Sequence, residues 1–170
     1  KEIYSVIKRI PKKIFKDDSV RILIINDCSS DNTSKEILNI MQKFKYHFSV
    51  YRPKKNLGYG GVQKYAFEYA IKHKFDFTVM LHGDGQYAPE SLPQIIKNYD
   101  NKNIDAVFGS RMISYKAALK GGMPLYKFIA NIMLTFFQNL ILGSKMSEFH
   151  SGYRSYRVSA LKKINFKNKS

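Results

Sequence analysis

Short apolar runs alternate along the chain with longer stretches in which apolar residues return at every third or fourth place. Ile3, Val6, Ile7 and Ile10 recur at helical spacing and Pro11 ends the pattern, which predicts an opening amphipathic helix. Residues 20–25 form a continuous, largely β-branched run broken only by Arg21, the pattern of a strand covered on both faces in a parallel sheet. Polar residues take over at Asn26. Thr33 with Glu36 three places on reads as a capping box, and Ile37, Leu38, Ile40, Met41 and Phe44 supply the apolar stripe of a helix. The cycle returns as a strand at 48–51, a glycine-bearing loop at 56–61, and a helix through Val62, Ala66, Tyr69 and Ala70. It returns again as a strand at 77–81, a loop at 82–87, and a helix with Pro89 and Glu90 in its first turn. Residues 104–108 predict one more strand.

Strands alternating with helices imply an α/β fold, a mostly parallel sheet with right-handed crossovers and helices on its faces. Ligands in such sheets bind beyond the carboxyl ends of the strands. After Arg111 the pattern changes to a loop with Gly121 and Gly122, and then to a strongly apolar stretch at 123–142. Lys127, Asn131 and Gln138 interrupt it and argue against a lipid-spanning helix, leaving an ordinary buried helix or one lying at a membrane surface.

Composition narrows the classes. A chain of 170 residues with 44% hydrophobic content buries an ordinary core, and residues 1–170 read as a single domain without repeats or low-complexity segments. The single Cys28 excludes an internal disulfide framework and suits a reducing, cytoplasmic compartment. With 29 Lys and Arg against 13 Asp and Glu, the net charge of +16 favours phosphate-bearing partners: lipid head groups, nucleotide sugars or nucleic acid. The lysines are scattered, however, and no basic block singles out one of these. Residues 1–10 carry charges among their apolar positions and are neither a signal peptide nor a membrane span; a start at Lys rather than Met reads as an excerpt.

Three clusters at strand ends carry the candidate chemistry. The first is Asn26-Asp27-Cys28-Ser29-Ser30-Asp31-Asn32-Thr33, where a carboxylate can accept hydrogen bonds from a base or ribose, although a plain turn and helix cap explain much of it. The second, Asn56-Leu57-Gly58-Tyr59-Gly60-Gly61, lets backbone N–H groups approach a phosphate, with a spacing that fits neither the Walker pattern nor a dinucleotide fingerprint. The third, His82-Gly83-Asp84-Gly85-Gln86, offers Asp84 as an oxygen ligand for Mg²⁺ or Mn²⁺ at a diphosphate. His82 suits Mn²⁺ better than Mg²⁺, or else orients Asp84.

Read in order, these clusters resemble family 2 glycosyltransferases of the GT-A fold, specifically the dolichol- or undecaprenyl-phosphate sugar transferase branch. The first looks like the family's Asp-Asp-Gly-Ser-x-Asp-x-Thr, the second like its Asn-x-Gly loop, and the third falls at its Asp-x-Asp-x-Gln, with Pro89-Glu90 following. Gly109-Ser110-Arg111 matches a Gly-Ser-Arg that closes the next strand, and Ser151-Gly152-Tyr153-Arg154 matches a later Ser-Gly-Phe-Arg. The resemblance covers roughly residues 20–157 and implies a chain cut at both ends, lacking the family's opening strand before Lys1.

What the resemblance implies is an inverting transferase that moves a sugar from a UDP- or GDP-sugar to a polyprenyl phosphate or glycan, in cell-envelope polysaccharide assembly. Asn26, Asp27, Asn56, Gly58, Gly83 and Asp84 would meet the nucleotide sugar, and Asp84 would hold a divalent cation with Gln86 and His82. Glu148 falls where the family often has an Asp and would act as general base, or be a solvated surface carboxylate. Arg111, Lys127 and Arg154 are candidates for the acceptor phosphate or the diphosphate. Expected surroundings are the cytoplasmic face of an anionic membrane, touched peripherally, with no nucleic acid. His82 in place of the family's first metal-site Asp, Asn26 for an Asp and Cys28 for a Gly depart from the pattern. A sugar-1-phosphate nucleotidyltransferase and a non-catalytic basic binding module remain as other classes.

Overall fold

The computed structural model describes residues 2–16, 18–120 and 122–166, so the loop position at Gly121 lies outside the described residues. The chain divides into two compact units: residues 1–107 with 155–170, and residues 108–154.

In the first unit the helix α1 (Glu2–Arg9) buries Val6 and Ile7, and strand β1 (Ile22–Ile25) follows a short 3-10 turn. Helix α2 (Thr33–Lys43) buries Ile37 and Ile40, as its apolar spacing requires. Its expected capping box does not form. Thr33 is already helical, and the Asp31 carboxylate accepts from the Thr33 amide and hydroxyl, which holds Asp31 below the ordinary carboxylate range. Strand β2 (Phe48–Tyr51) pairs with β1 in parallel, Ile22 opposite Phe48 and Ile25 opposite Tyr51.

Helix α3 (Gly58–Lys72) begins four residues earlier than its apolar pattern suggests, so Gly60 and Gly61 lie in its first turn rather than in a loop. It packs on β2 through Tyr65, stacked on Tyr51 at 3.6 Å between ring centroids, and through Tyr69, whose hydroxyl lies 2.7 Å from that of Ser49. Strand β3 (Phe77–Met80) leads through the His82 loop to a 3-10 turn at Pro89–Ser91 and helix α4 (Leu92–Lys97), followed by strand β4 (Ala106–Phe108).

Strand β5 (Arg154–Arg157) lies between β3 and β4, and helix α7 (Val158–Leu161) follows it directly. The Arg157 amide donates to the Asp105 carbonyl and the Gly109 amide to the Tyr153 carbonyl, so residue numbers rise along one strand as they fall along the other. β5 is therefore antiparallel to β4. It is pinned by side chains: Ser155 meets the Tyr99 hydroxyl at 2.6 Å, and the Arg157 guanidinium donates to the carbonyls of Tyr99, Asn101 and Ile104. The strands form two sheets, β1-β2 and β3-β5-β4.

The second unit contains helices α5 (Tyr115–Lys120) and α6 (Leu125–Leu142). Residues 115–120, expected as loop, are helical, with Tyr115 set edge-on against Phe128 of α6 at 5.4 Å. α6 is not a buried core helix. Its inward face carries Phe128, Asn131, Ile132, Thr135, Gln138 and Asn139, whereas Ile129, Met133, Phe137, Leu140 and Ile141 point to solvent, Leu140 at 71% exposure and Ile141 at 80%. By length and composition α6 is apolar enough to cross a membrane.

Candidate functional site

The first unit gathers the three strand-end clusters. At the end of β1 the Asp27 carboxylate accepts the Leu57 amide on Oδ1 at 2.7 Å and the Gly58 amide on Oδ2 at 2.9 Å. These are orphan N–H groups at the start of α3, whose N-cap position is Leu57, so Asp27 satisfies them from thirty positions away in sequence, where the positive end of the macrodipole favours a carboxylate. Asn56 completes the clasp: its Nδ2 donates to the Asp27 carbonyl at 3.1 Å, and its Oδ1 accepts the Gly58 amide at 2.9 Å. Gly58 has φ +68, which glycine adopts without steric cost.

Asn26 is buried, and its amide is used at both ends: Nδ2 donates to Ser34 Oγ at 3.0 Å, and Oδ1 accepts the Ser29 amide at 3.0 Å. A neutral amide at this depth avoids the desolvation cost of a charge. Cys28 adopts φ +62, a conformation disfavoured for a residue with a Cβ, and its thiol donates to the Pro53 carbonyl at 3.4 Å.

The clasp reaches the third cluster through rings. Tyr59, in the first turn of α3, lies edge-on to His82 at 5.8 Å, and Tyr87 is likewise edge-on to His82 at 5.3 Å. Ile3 and Val6 of α1 lie beside Gly83 and Gly85, and Arg9 makes a two-pronged bond to Glu90 at 2.7 and 2.9 Å. Asp84 is exposed, and its Oδ1 accepts the Gln86 amide at 3.1 Å, a local turn that leaves the carboxylate at the surface beside the exposed Gln86. Among the described residues no three His, Cys, Asp or Glu side chains gather at one point. The exposed Asp84 carboxylate is an oxygen donor of the type that Mg²⁺ and Mn²⁺ accept beside phosphate oxygens, and not part of an all-protein cage.

The second unit gathers the remaining motifs. Gly109 and Tyr153 are hydrogen-bonded through their backbones at 2.8 Å, and a Cβ on Gly109 would lie 3.0 Å from the Tyr153 ring, which would have to give by a few tenths of an ångström to admit a side chain. Glu148 is 1% exposed, which overturns its reading as a surface carboxylate. Its Oε2 accepts the Arg111 amide at 2.8 Å, and its Oε1 accepts Arg111 Nη2 at 2.9 Å and Asn131 Nδ2 at 3.1 Å. Burial pushes its pKa up, but the hydrogen bonds and charge of Arg111, with Asn131, more than offset this and hold it below the ordinary range. Arg154 donates to the carbonyls of Ser151 and Phe149 and lies over the Phe108 ring at 5.7 Å, whereas Lys127 is exposed in the first turn of α6. Asn131, Thr135 and Asn139, which no motif singles out as site residues, repeat at every fourth position of α6, a spacing visible in the sequence as one polar stripe.

The clasp gives a direct expectation. Asp27→Ala should lower stability by about 1–2 kcal/mol, the usual cost of losing a helix cap, and Asp27→Asn should recover part of it, as thermal unfolding will register.

Residues 1–165 match the model of Glycosyl transferase family 2, and the chain belongs to that family; its α/β architecture is of the GT-A type. An uncharacterised protein of Methanocaldococcus jannaschii is 28% identical over 91% of this chain and 69% of its own length. The UDP-N-acetylglucosamine–dolichyl-phosphate N-acetylglucosaminyltransferase of Methanococcus voltae is 27% identical, over 95% of this chain and 68% of its own. The undecaprenyl-phosphate mannosyltransferase of Micrococcus luteus is 24% identical over 85% of this chain, which spans 57% of that protein's length. No solved structure gives a significant match.

Proposed function

We propose that the chain forms the donor-binding and membrane-facing part of an inverting transferase, which moves a sugar from a nucleoside diphosphate sugar to a polyprenyl phosphate at the cytoplasmic face of an anionic membrane. The observation that carries this reading is the inside-out helix α6, which turns Asn131, Thr135 and Asn139 inward and most of its aliphatic and aromatic side chains outward. Water selects the opposite arrangement, so an outward apolar face calls for an apolar medium. Its inward polar stripe favours a helix lying along the interface over one that spans. Exposed Lys116, Lys127 and Lys145 in the same unit, and a chain charge of +16, suit an anionic leaflet. The lipid-phosphate acceptors in the names of the Methanococcus and Micrococcus relatives point the same way.

In this reading the nucleotide diphosphate lies at the carboxyl ends of β1 and β3, near the Asp27–Asn56–Gly58 clasp and Gly83. Asp84, with Gln86 and His82, would hold a divalent cation there, which supplies positive charge against the departing diphosphate. Arg111, Lys127 and Arg154 are the cations of the second unit that suit an acceptor phosphate, Arg111 by its planar fork. A phosphate acceptor is already ionised at neutral pH and asks for no base, so Glu148 acts here by holding Arg111 and not by taking a proton.

The test is transfer from UDP- and GDP-sugars to undecaprenyl phosphate by the full chain, with sedimentation on phosphatidylglycerol vesicles. Replacing Met133, Phe137 and Leu140 together by serine is expected to weaken vesicle binding at least about a hundredfold, since each buried apolar side chain contributes roughly 1.5–3 kcal/mol. High salt should weaken binding of the unaltered chain. Absence of binding at low salt would remove the membrane from the proposal.

A further inference from the structure

A buried amide on a helix costs free energy unless both of its ends are bonded. Asn131 meets that condition. Its Oδ1 accepts from Thr135 Oγ1 at 3.1 Å, one turn further along α6, which leaves Nδ2 for the Glu148 carboxylate at 3.1 Å. An ionised carboxylate only accepts, so the amide's orientation is settled by chemistry. Asn139, two turns beyond Asn131, accepts from the Ser144 hydroxyl and the Met146 amide and donates to the Met146 carbonyl, which draws the returning segment with Glu148 back along the helix. Three donors therefore fix the Glu148 carboxylate, two from Arg111 and one from α6.

We propose that Asn131 is a positioning residue: by steadying Glu148 it ties the membrane-facing helix α6 to the Arg111 guanidinium and sets that fork for the acceptor's phosphate. The proposal rests on the transferase reading above, because it assigns Arg111 a phosphate to receive. Without Asn131 both bonds from Arg111 to Glu148 persist, but the carboxylate loses its tie to α6, so the Arg111–Glu148 pair is no longer registered against that helix. The guanidinium then loses a fixed direction, and a phosphate held by a fork depends on direction more than on charge. Donor binding, built from the β1 and β3 loops of the first unit, involves none of these groups.

The experiment measures kcat and both KM values for the full chain with a UDP- or GDP-sugar and undecaprenyl phosphate, alongside thermal unfolding. Asn131→Ala is expected to raise the acceptor KM about tenfold, the usual weight of a hydrogen bond to a charged group, and to leave the donor KM unchanged. Thr135→Val, which loosens the amide without removing it, should raise the acceptor KM about two- to threefold and serves as the milder probe if the alanine variant fails to fold. In an Arg111→Lys background Asn131→Ala should add little, because the fork it steadies is gone. An unchanged acceptor KM in both α6 variants overturns the proposal, as does a loss shared equally by donor and acceptor, which marks a structural role only. Failure of the unaltered chain to transfer to undecaprenyl phosphate overturns the transferase reading itself and this proposal with it.

Discussion

Replacing Asp84 by alanine is expected to lower kcat/KM for sugar transfer about 10²- to 10³-fold and to abolish cation-dependent donor binding, the largest single effect available in the first unit. The carboxylate does two things at the end of β3. It accepts the Gln86 amide through Oδ1, which shapes the turn, and it is an exposed negative charge that, on the proposed reading, would help hold a divalent cation. Asp84→Asn separates the two, because the amide oxygen still accepts from Gln86 while the charge is gone. If the cation matters, the asparagine variant will be nearly as impaired as the alanine variant. If only the turn matters, it will retain most of its activity. Calorimetric titration with UDP- and GDP-sugars, with and without Mn²⁺, reads the binding side of both variants and identifies the base.

The second large effect concerns stability. Glu148→Ala removes the acceptor of three hydrogen bonds and leaves the Arg111 guanidinium without its carboxylate. Breaking a fully buried ion pair costs about 3–5 kcal/mol; Arg111 keeps 37% exposure here and recovers some hydration, so about 2–3 kcal/mol is expected. The loss should carry a pH signature. Glu148 titrates below its ordinary value when folded, so the unfolded chain binds the proton more readily. Its contribution is therefore complete above the ordinary glutamate range near pH 4.5 and is lost as pH falls through the depressed folded value. Thermal unfolding of Glu148→Gln should show a shallower decline in this acid window than the unaltered chain.

Much of the first unit was legible because its strands are short runs of apolar, β-branched and aromatic residues and its helices carry apolar residues at fixed spacing. Ile22–Ile25 and Phe48–Tyr51 lie where these runs fall, and α2 buries Ile37 and Ile40 as the stripe requires. Strand β5 was hidden for a physical reason. Arg154, Ser155 and Arg157 are polar, and what makes the segment a strand is supplied from elsewhere: Tyr99 for Ser155, three carbonyls between residues 99 and 104 for Arg157. The failed capping box at Thr33 and Glu36 belongs to the same class, since the nearer Asp31 reaches the Thr33 amide first.

The site was legible as a set of motifs but not as a set of contacts. That the ends of β1 and β3 would gather polar residues follows from the fold class, whereas the use of Asp27 to cap a helix thirty positions away does not follow from any local pattern. For α6 the sequence held the polar stripe at residues 131, 135 and 139, yet composition could not say which face would turn inward. Glu148 supplied the answer. A buried carboxylate demands donors, and the stripe is the face able to provide one.

Laid flat, an eighteen-residue helix is about 27 Å long, comparable to the width of several lipid head groups. Seated that way, α6 would fix the roll of the second unit about the helix axis, since its exposed side is the predominantly apolar one. It also changes the dimensionality of the encounter. A lipid-borne acceptor would then arrive by lateral diffusion in a sheet, at a constant height and with its phosphate always at the same level, while the sugar donor arrives from bulk water. On the proposed reading one partner would be searched for in two dimensions and the other in three.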